Sequence, residues 1–252
     1  MLMPTISTMS RVALPIIRDE FGLQADVTAW VSAAFILPFM LLMPVYGRMS
    51  DGVDPRRLIL GGTLVFATGT TLMMSSTSVG SVMFGNAVLG IGVAGMMPLG
   101  MALISSLFNE RERGRALGTW SSVGPATGFV GPFIAGLLAA AWGWRTTYAP
   151  PLIVAIVAFV VIYTRVPRQD LAKGSTAAYV RAFDWTGFFL LSSSLATFVF
   201  FLSSRAITGV EPMQDWRLLA FSIVAFVAFA IWERGRSNPY VSTYILKNSR
   251  FF

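Results

Sequence analysis

The sequence contains no cysteine and no histidine. Those two absences exclude disulfide staples, thiol redox chemistry, most transition-metal sites and the commonest general base. Charge is scarce as well: only 12% of the 252 residues are Asp, Glu, Lys or Arg, too few to coat a soluble globule of this size. None of the 12 carboxylates falls inside a long apolar run. An enzyme therefore has almost nothing to work with, lacking His, Cys and any acid pair in an apolar setting, and neither metal nor cofactor is expected. No basic n-region or small-residue cleavage site follows Met1, so no cleavable leader is expected.

What the sequence has in quantity is apolar surface: 55% hydrophobic residues, 20 Phe, 7 Trp and a mean hydropathy of +0.67. A helix crossing a bilayer needs about 20 mostly apolar residues. Eight such stretches follow one another, near 1–17, 27–47, 58–76, 79–107, 116–141, 148–165, 186–204 and 217–233. The expected fold class is all-α, a polytopic membrane protein of about eight transmembrane helices, the first of them short.

The net charge of +7 records topology rather than affinity for nucleic acid. Assigned alternately to the two sides, the joints after spans 2, 4, 6 and 8 hold fourteen basic residues, among them Arg48, Arg56, Arg57, Arg111, Arg113 and Arg115. The joints after spans 1, 3, 5 and 7 hold four, Arg18, Arg145, Arg205 and Arg217. That asymmetry puts the even joints and the N-terminus in the cytoplasm. The most polar connection, "VPRQDLAKGSTAAYVRAFD" at 166–184, divides the chain into a six-helix half (1–165), a linker (166–185) and two further helices (186–252). Trp185, Trp216 and Trp232 mark the ends of those helices, where indoles sit well among headgroups. The short first span and the apolar Phe251 and Phe252 read as the edges of a longer protein, with a ninth span beginning at the last residues.

The joint "GRMSDGVDPRRLIL" (47–60) carries more charge than orientation alone requires. Gly47, Asp51, Arg56 and Arg57 resemble the Gly-x-Leu-Ala-Asp-Arg-x-Gly-Arg-Arg signature of the major facilitator superfamily, while Gly52, Asp54 and Pro55 depart from it. Further segments resemble the fourteen-helix drug:proton antiporter branch of that superfamily. They are "VALPII" (12–17), "TAWVSAAFIL" (28–37), "LGIGVAGMMPLGMALISSLFNERERGRALGTW" (89–120), "WGWRTTYAPP" (142–151) and "GPFIAG" (131–136), the last with Gly131, Pro132 and Gly136 on the antiporter pattern. The resemblance covers nearly the whole chain. It implies alternating access between two six-helix halves, export of small amphipathic, drug-like solutes, and protons as the coupling ion. It also implies that Asp51 latches the cytoplasmic gate, accepting hydrogen bonds from a helix N-terminus and pairing with Arg.

Two charged positions of the branch are missing: the helix 1 acid and the helix 4 Arg fall on Ile6 and Asn86. The candidate intramembrane charge is Arg11, seven residues or about 10 Å inside Arg18. With Pro4, Ser7 and Thr8 it makes a polar stripe that faces a water-filled cavity, where it favours anionic or acceptor-rich solutes. The alternative is an Arg11 that snorkels outward. Glycines in span 4 and at 124, 128, 131 and 136 in span 5 give both helices smooth faces for close packing, and Pro125 and Pro132 permit bending. Two functions remain open on these grounds. One is a transporter completed by a second half or a homodimer; the other is a non-transporting half that serves as a membrane partner or sensor.

Overall fold

The structure, a computed structural model, describes residues 2–50, 52–167, 184–202, 210, 211 and 213–234. The chain divides into two compact units, Met1–Thr176 and Ala177–Phe252. The first holds α1 (Leu2–Glu20), α2 (Ala25–Met49), α3 (Pro55–Met74), α4 (Val79–Val93), α5 (Met96–Leu107) and α6 (Glu110–Trp142). A 3-10 turn (Trp144–Tyr148) and α7 (Ala149–Arg165) complete it.

Local sequence explains where these helices start. The carboxylate of Asp54 accepts a hydrogen bond from the Arg56 amide at 2.9 Å, and Pro55 fills the first helical position of α3, where no amide donor is needed. Ser78 and Ser81 cap α4 reciprocally. Gly143 ends α6 with φ at +87°, a conformation that favours glycine.

Seven helical segments among the described residues are long and apolar enough to cross a membrane. The first expected span is not one of them. α1 is a 19-residue helix, but Thr5, Ser7, Thr8, Ser10 and Arg11 dilute its apolar character. It is held in place by Ile6, Met9, Ala13 and Ile17, which are almost fully buried. Span 4 brings a second difference: it breaks at Ala94 and Gly95 into α4 and α5. Pro98 accounts for this, because it cannot donate to the Ala94 carbonyl and its ring crowds that oxygen. In contrast, α6 runs unbroken through Pro125 and Pro132.

The main packing pairs are α1 with α6, α2 with α4, α3 with α4 and α3 with α7. In span numbers, 1 pairs with 5, 2 with 4, 3 with 4 and 3 with 6. Three of these four, 1 with 5, 2 with 4 and 3 with 6, map onto one another when the first three spans trade places with the second three, as an inverted repeat requires. Phe66, Val82, Leu89 and Val93 form the centre of the core, which Trp144 and Tyr148 extend.

The second unit contains α8 (Trp185–Leu202) and α9 (Trp216–Arg234), packed on each other. Ser194 Oγ donates to the Ser222 carbonyl and Ser222 Oγ to the Ser194 carbonyl, both at 2.9 Å. The Asp184 carboxylate accepts from the Gly187 amide at 3.0 Å and from the Trp232 indole at 3.1 Å, tying the start of α8 to the end of α9.

Candidate functional site

A cavity of about 270 Å³ lies in the first unit between α1, α2 and α4, with Tyr148 also on its wall. Helix α1 contributes Ile6, Ser7, Ser10 and Arg11, and α2 contributes Ser32 and Phe35. Helix α4 contributes Asn86, which is 6% exposed and meets no hydrogen-bond partner among the described residues. The amide opens onto the cavity rather than being sealed from it, so this wall can offer a hydrogen bond to a polar group. Arg11 is exposed at the cavity and, among the described residues, meets neither a carboxylate nor a hydrogen-bond acceptor. Ser10 of α1 and the buried Tyr148 hydroxyl approach to 3.5 Å.

The expected polar stripe on α1 is thus split. Ser7 and Arg11, four residues apart, share the cavity face. Thr8 points elsewhere: it is buried against α6, its hydroxyl donates to the Pro4 carbonyl at 2.8 Å, and its methyl fills the space beside Gly131. A Cβ at Gly131 would lie 2.5 Å from that methyl. Gly131 is therefore the contact point of α6 with α1, while Pro132 is exposed and a Cβ at Gly136 would meet nothing within 4 Å.

Of the gating motif, Asp51 lies outside the described residues. Gly47 sits near the end of α2, where an added Cβ would approach Pro98 at an ordinary 3.8 Å. The basic pair separates. Arg57 is exposed, whereas Arg56 is buried and donates to the Tyr163 carbonyl at 2.6 Å and the Ile162 carbonyl at 3.4 Å, with its guanidinium 5.6 Å from the Tyr163 ring centroid. These carbonyls belong to the last turn of α7, where the helix leaves acceptors unpaired and its dipole favours a cation. Arg113 does the same for α5, donating to the Ser105 carbonyl at 2.9 Å.

A different cluster closes the opposite end of the unit. Glu20, past the end of span 1, accepts from the Trp144 indole at 2.6 Å and from Arg145 at 2.9 Å. Arg145 also donates to the Ser76 carbonyl at 2.8 Å and lies 4.4 Å from the Trp144 ring centroid. Residues of joints 1, 3 and 5 therefore meet. The hydrogen bond from Arg145 holds the Glu20 carboxyl below the ordinary carboxylate value; partial desolvation opposes this, and the Trp144 bond adds to it.

Sequence reasoning missed this cluster, the capping role of Arg56 and the place of Asn86 in the cavity. Only the i, i+4 relation of Ser7 and Arg11 carried a readable signal. Ile6 and Asn86, where the branch pattern has its acid and its Arg, line one cavity together with Arg11.

With seven helical segments among the described residues long and apolar enough to cross a membrane, the all-α chain is an integral membrane protein. The chain belongs to the Major Facilitator Superfamily, whose family model matches residues 1–249. Among curated relatives, it is 29% identical to the methylenomycin A resistance protein of Bacillus subtilis, over 99% of this chain and 53% of that protein. It is 27% identical to Multidrug resistance protein 3 of the same organism, over 90% of this chain and 43% of that protein. It is 28% identical to the puromycin resistance protein pur8 of Streptomyces alboniger, over 92% and 45%. The chain spans about half the length of these relatives.

Proposed function

We propose that this chain forms the first six-helix half, plus two accessory helices, of an exporter of small amphipathic solutes that works by alternating access. The observation that carries this reading is the cavity, which brings Ser7, Arg11 and Asn86 together between the helices of the first unit. The drug-resistance names of the relatives support the same solute class. Transport needs a second six-helix half, from further polypeptide or from a second copy of this chain.

Division at 165 and 185, a cytoplasmic N-terminus and an inner or plasma membrane location complete the proposal. In this orientation Arg56 lies on the cytoplasmic side and the Glu20 cluster on the outer side. Asp51 acts as the cytoplasmic latch of the motif to which Gly47, Arg56 and Arg57 belong, with Arg56 fastening α3 to α7. Protons, if they drive the cycle, are carried by groups other than positions 6 and 86, since neither Ile nor Asn titrates.

The test is accumulation of a fluorescent amphiphile in everted membrane vesicles from cells expressing the native gene. Transport above that of vesicles without the gene is expected, and Asp51→Asn should reduce it while leaving the protein in the membrane. Equal signals with and without the gene would overturn the exporter reading; full activity of Asp51→Asn would remove the latch alone. The mass of the native product by antibody to 166–184 decides between the two sources of the second half. A product near twice this length means further polypeptide, and one near 27 kDa means a second copy.

A further inference from the structure

We infer that the cavity is a binding site for amphipathic anions: solutes with a carboxylate or similar oxyanion on a compact apolar body, held by the Arg11 guanidinium and the Asn86 amide. This rests on the transporter reading and narrows its solute class. Arg11, an exposed residue, is the one charged residue lining the cavity among the described residues, and most of the other lining side chains are apolar. Intramembrane cations of this kind persist where they face a cavity and a partner. The fork of the guanidinium matches a carboxylate in a two-point bond, which a lone acceptor or a cation does not reproduce.

Asn86 supplies the second anchor. The residue is only 6% exposed, its amide lines the cavity and it has no partner among the described residues, so a bound oxyanion gives it a bond that the protein itself does not. Ser10 adds a hydroxyl on the same helix, Ser7 Oγ being committed to the Pro4 carbonyl at 3.0 Å, while Ile6, Leu14, Phe35 and Ile36 provide the apolar wall for the body of the solute. At about 270 Å³ the site is close to the lower bound of small-molecule pockets, about 300 Å³, and suits a body of one ring with a short chain. A cationic solute would place a second positive charge beside Arg11, with no acid among the described lining residues to offset either.

The experiment compares 4-phenylbutyrate, 4-phenylbutanol and 4-phenylbutylammonium by isothermal titration with the purified native protein in phosphatidylcholine nanodiscs. The expected order is acid, then alcohol, then ammonium. Arg11→Gln should weaken the acid by about tenfold to a hundredfold, the range of a charge-assisted hydrogen bond, while leaving the alcohol nearly unchanged. Arg11→Lys should keep the preference for the acid in reduced form, and Asn86→Leu should weaken acid and alcohol alike.

Ammonium binding as tightly as the acid, no measurable binding of the acid, or an acid-to-alcohol ratio untouched by Arg11→Gln overturns the site. If Arg11→Gln does not yield folded protein, the wild-type acid-to-ammonium ratio and Arg11→Lys decide. Flux of the same probes in proteoliposomes separates the two levels of the argument. Acid-selective binding without flux of any probe overturns the exporter and leaves the site, whereas flux without charge preference overturns the site alone.

Discussion

Helices α4 and α6 look alike on paper, both rich in glycine and both expected to present smooth faces, yet the fold uses them in opposite ways. Three of the four glycines of α4, at 85, 90 and 92, are consumed inside the first unit. A Cβ at Gly90 would collide with the backbone carbonyl of Phe35 on α2, and one at Gly92 with the amide nitrogen of Phe66 on α3. Those are backbone-to-backbone approaches that no rotamer change can relieve. The glycines of α6 at 118, 124, 128 and 136 meet nothing within 4 Å, and the helix exposes Phe129, Phe133 and Leu137 beside them. Gly131 against Thr8 is its one tight contact of this kind. Composition reports how closely a helix can be approached, but not which approach the fold makes.

The contrast can be broken most forcefully at α4. Gly90→Ala and Gly92→Ala should each cost about 3 kcal/mol or more, because overpacking here moves helix backbones, and thermal unfolding in detergent should report loss of the folded form. Retention of wild-type stability would mean that α2 and α3 do not approach α4 so closely. Next in size is Gly131→Ala, expected to cost about 1–3 kcal/mol through its clash with the Thr8 methyl. Because the obstacle is one side-chain carbon, Thr8→Ser should recover most of that loss; a double-mutant cycle with no coupling would remove the contact.

The open positions sharpen the comparison from the other side. Gly124→Ala and Gly128→Ala should leave the stability of this chain unchanged or raise it by about 0.5–1 kcal/mol, the ordinary gain from alanine in a helix. If flux falls while stability holds, the α6 face is engaged by something beyond this unit. The smallest expected effect concerns the Glu20 cluster, which fastens the segment after α6 to α1 and the joint after α3. Its carboxyl is held below the ordinary value in the folded protein, so its contribution is complete above about pH 4.5 and is lost as the pH falls through the lowered folded value. With 38% of that side chain exposed, solvent screening limits the effect to about 1 kcal/mol. A pH series of unfolding should therefore show a steeper acid decline for the wild type than for Glu20→Gln, and parallel curves would dismiss the cluster as a source of stability.

Much of the architecture was legible in the sequence, because a bilayer demands long apolar helices and leaves few other solutions. The order of the spans could be read from hydropathy, and seven of the eight expected are long and apolar enough to cross a membrane among the described residues. The break at Ala94 could have been read from Pro98 but is hidden by an unbroken apolar run, and α1 is the expected helix with too many polar residues to reach the hydropathy of the others. The site was less legible, since it depends on which faces meet. Ser7 and Thr8 are adjacent in sequence yet about 100° apart around the helix, so one stripe became a cavity wall and a packing contact. Asn86 drew attention as a departure from the branch pattern, and only the fold places it beside Arg11. Arg56 and Arg57 are equivalent to any count of loop charge, but only one reaches the end of α7.

The reciprocal serine bonds between α8 and α9 carry a further consequence. Each hydroxyl reaches the carbonyl of the other helix, so the two bonds form together or not at all when one helix slides along its neighbour. A slip of one turn, about 5.4 Å, would separate both donors from both acceptors at once. Such bonds in a membrane are worth only about 0.6 kcal/mol each on average. Their value lies in addressing: in a pair of helices whose remaining surface is largely interchangeable apolar residues, Ser194 and Ser222 act as the notch that tells one helix where along the other it belongs.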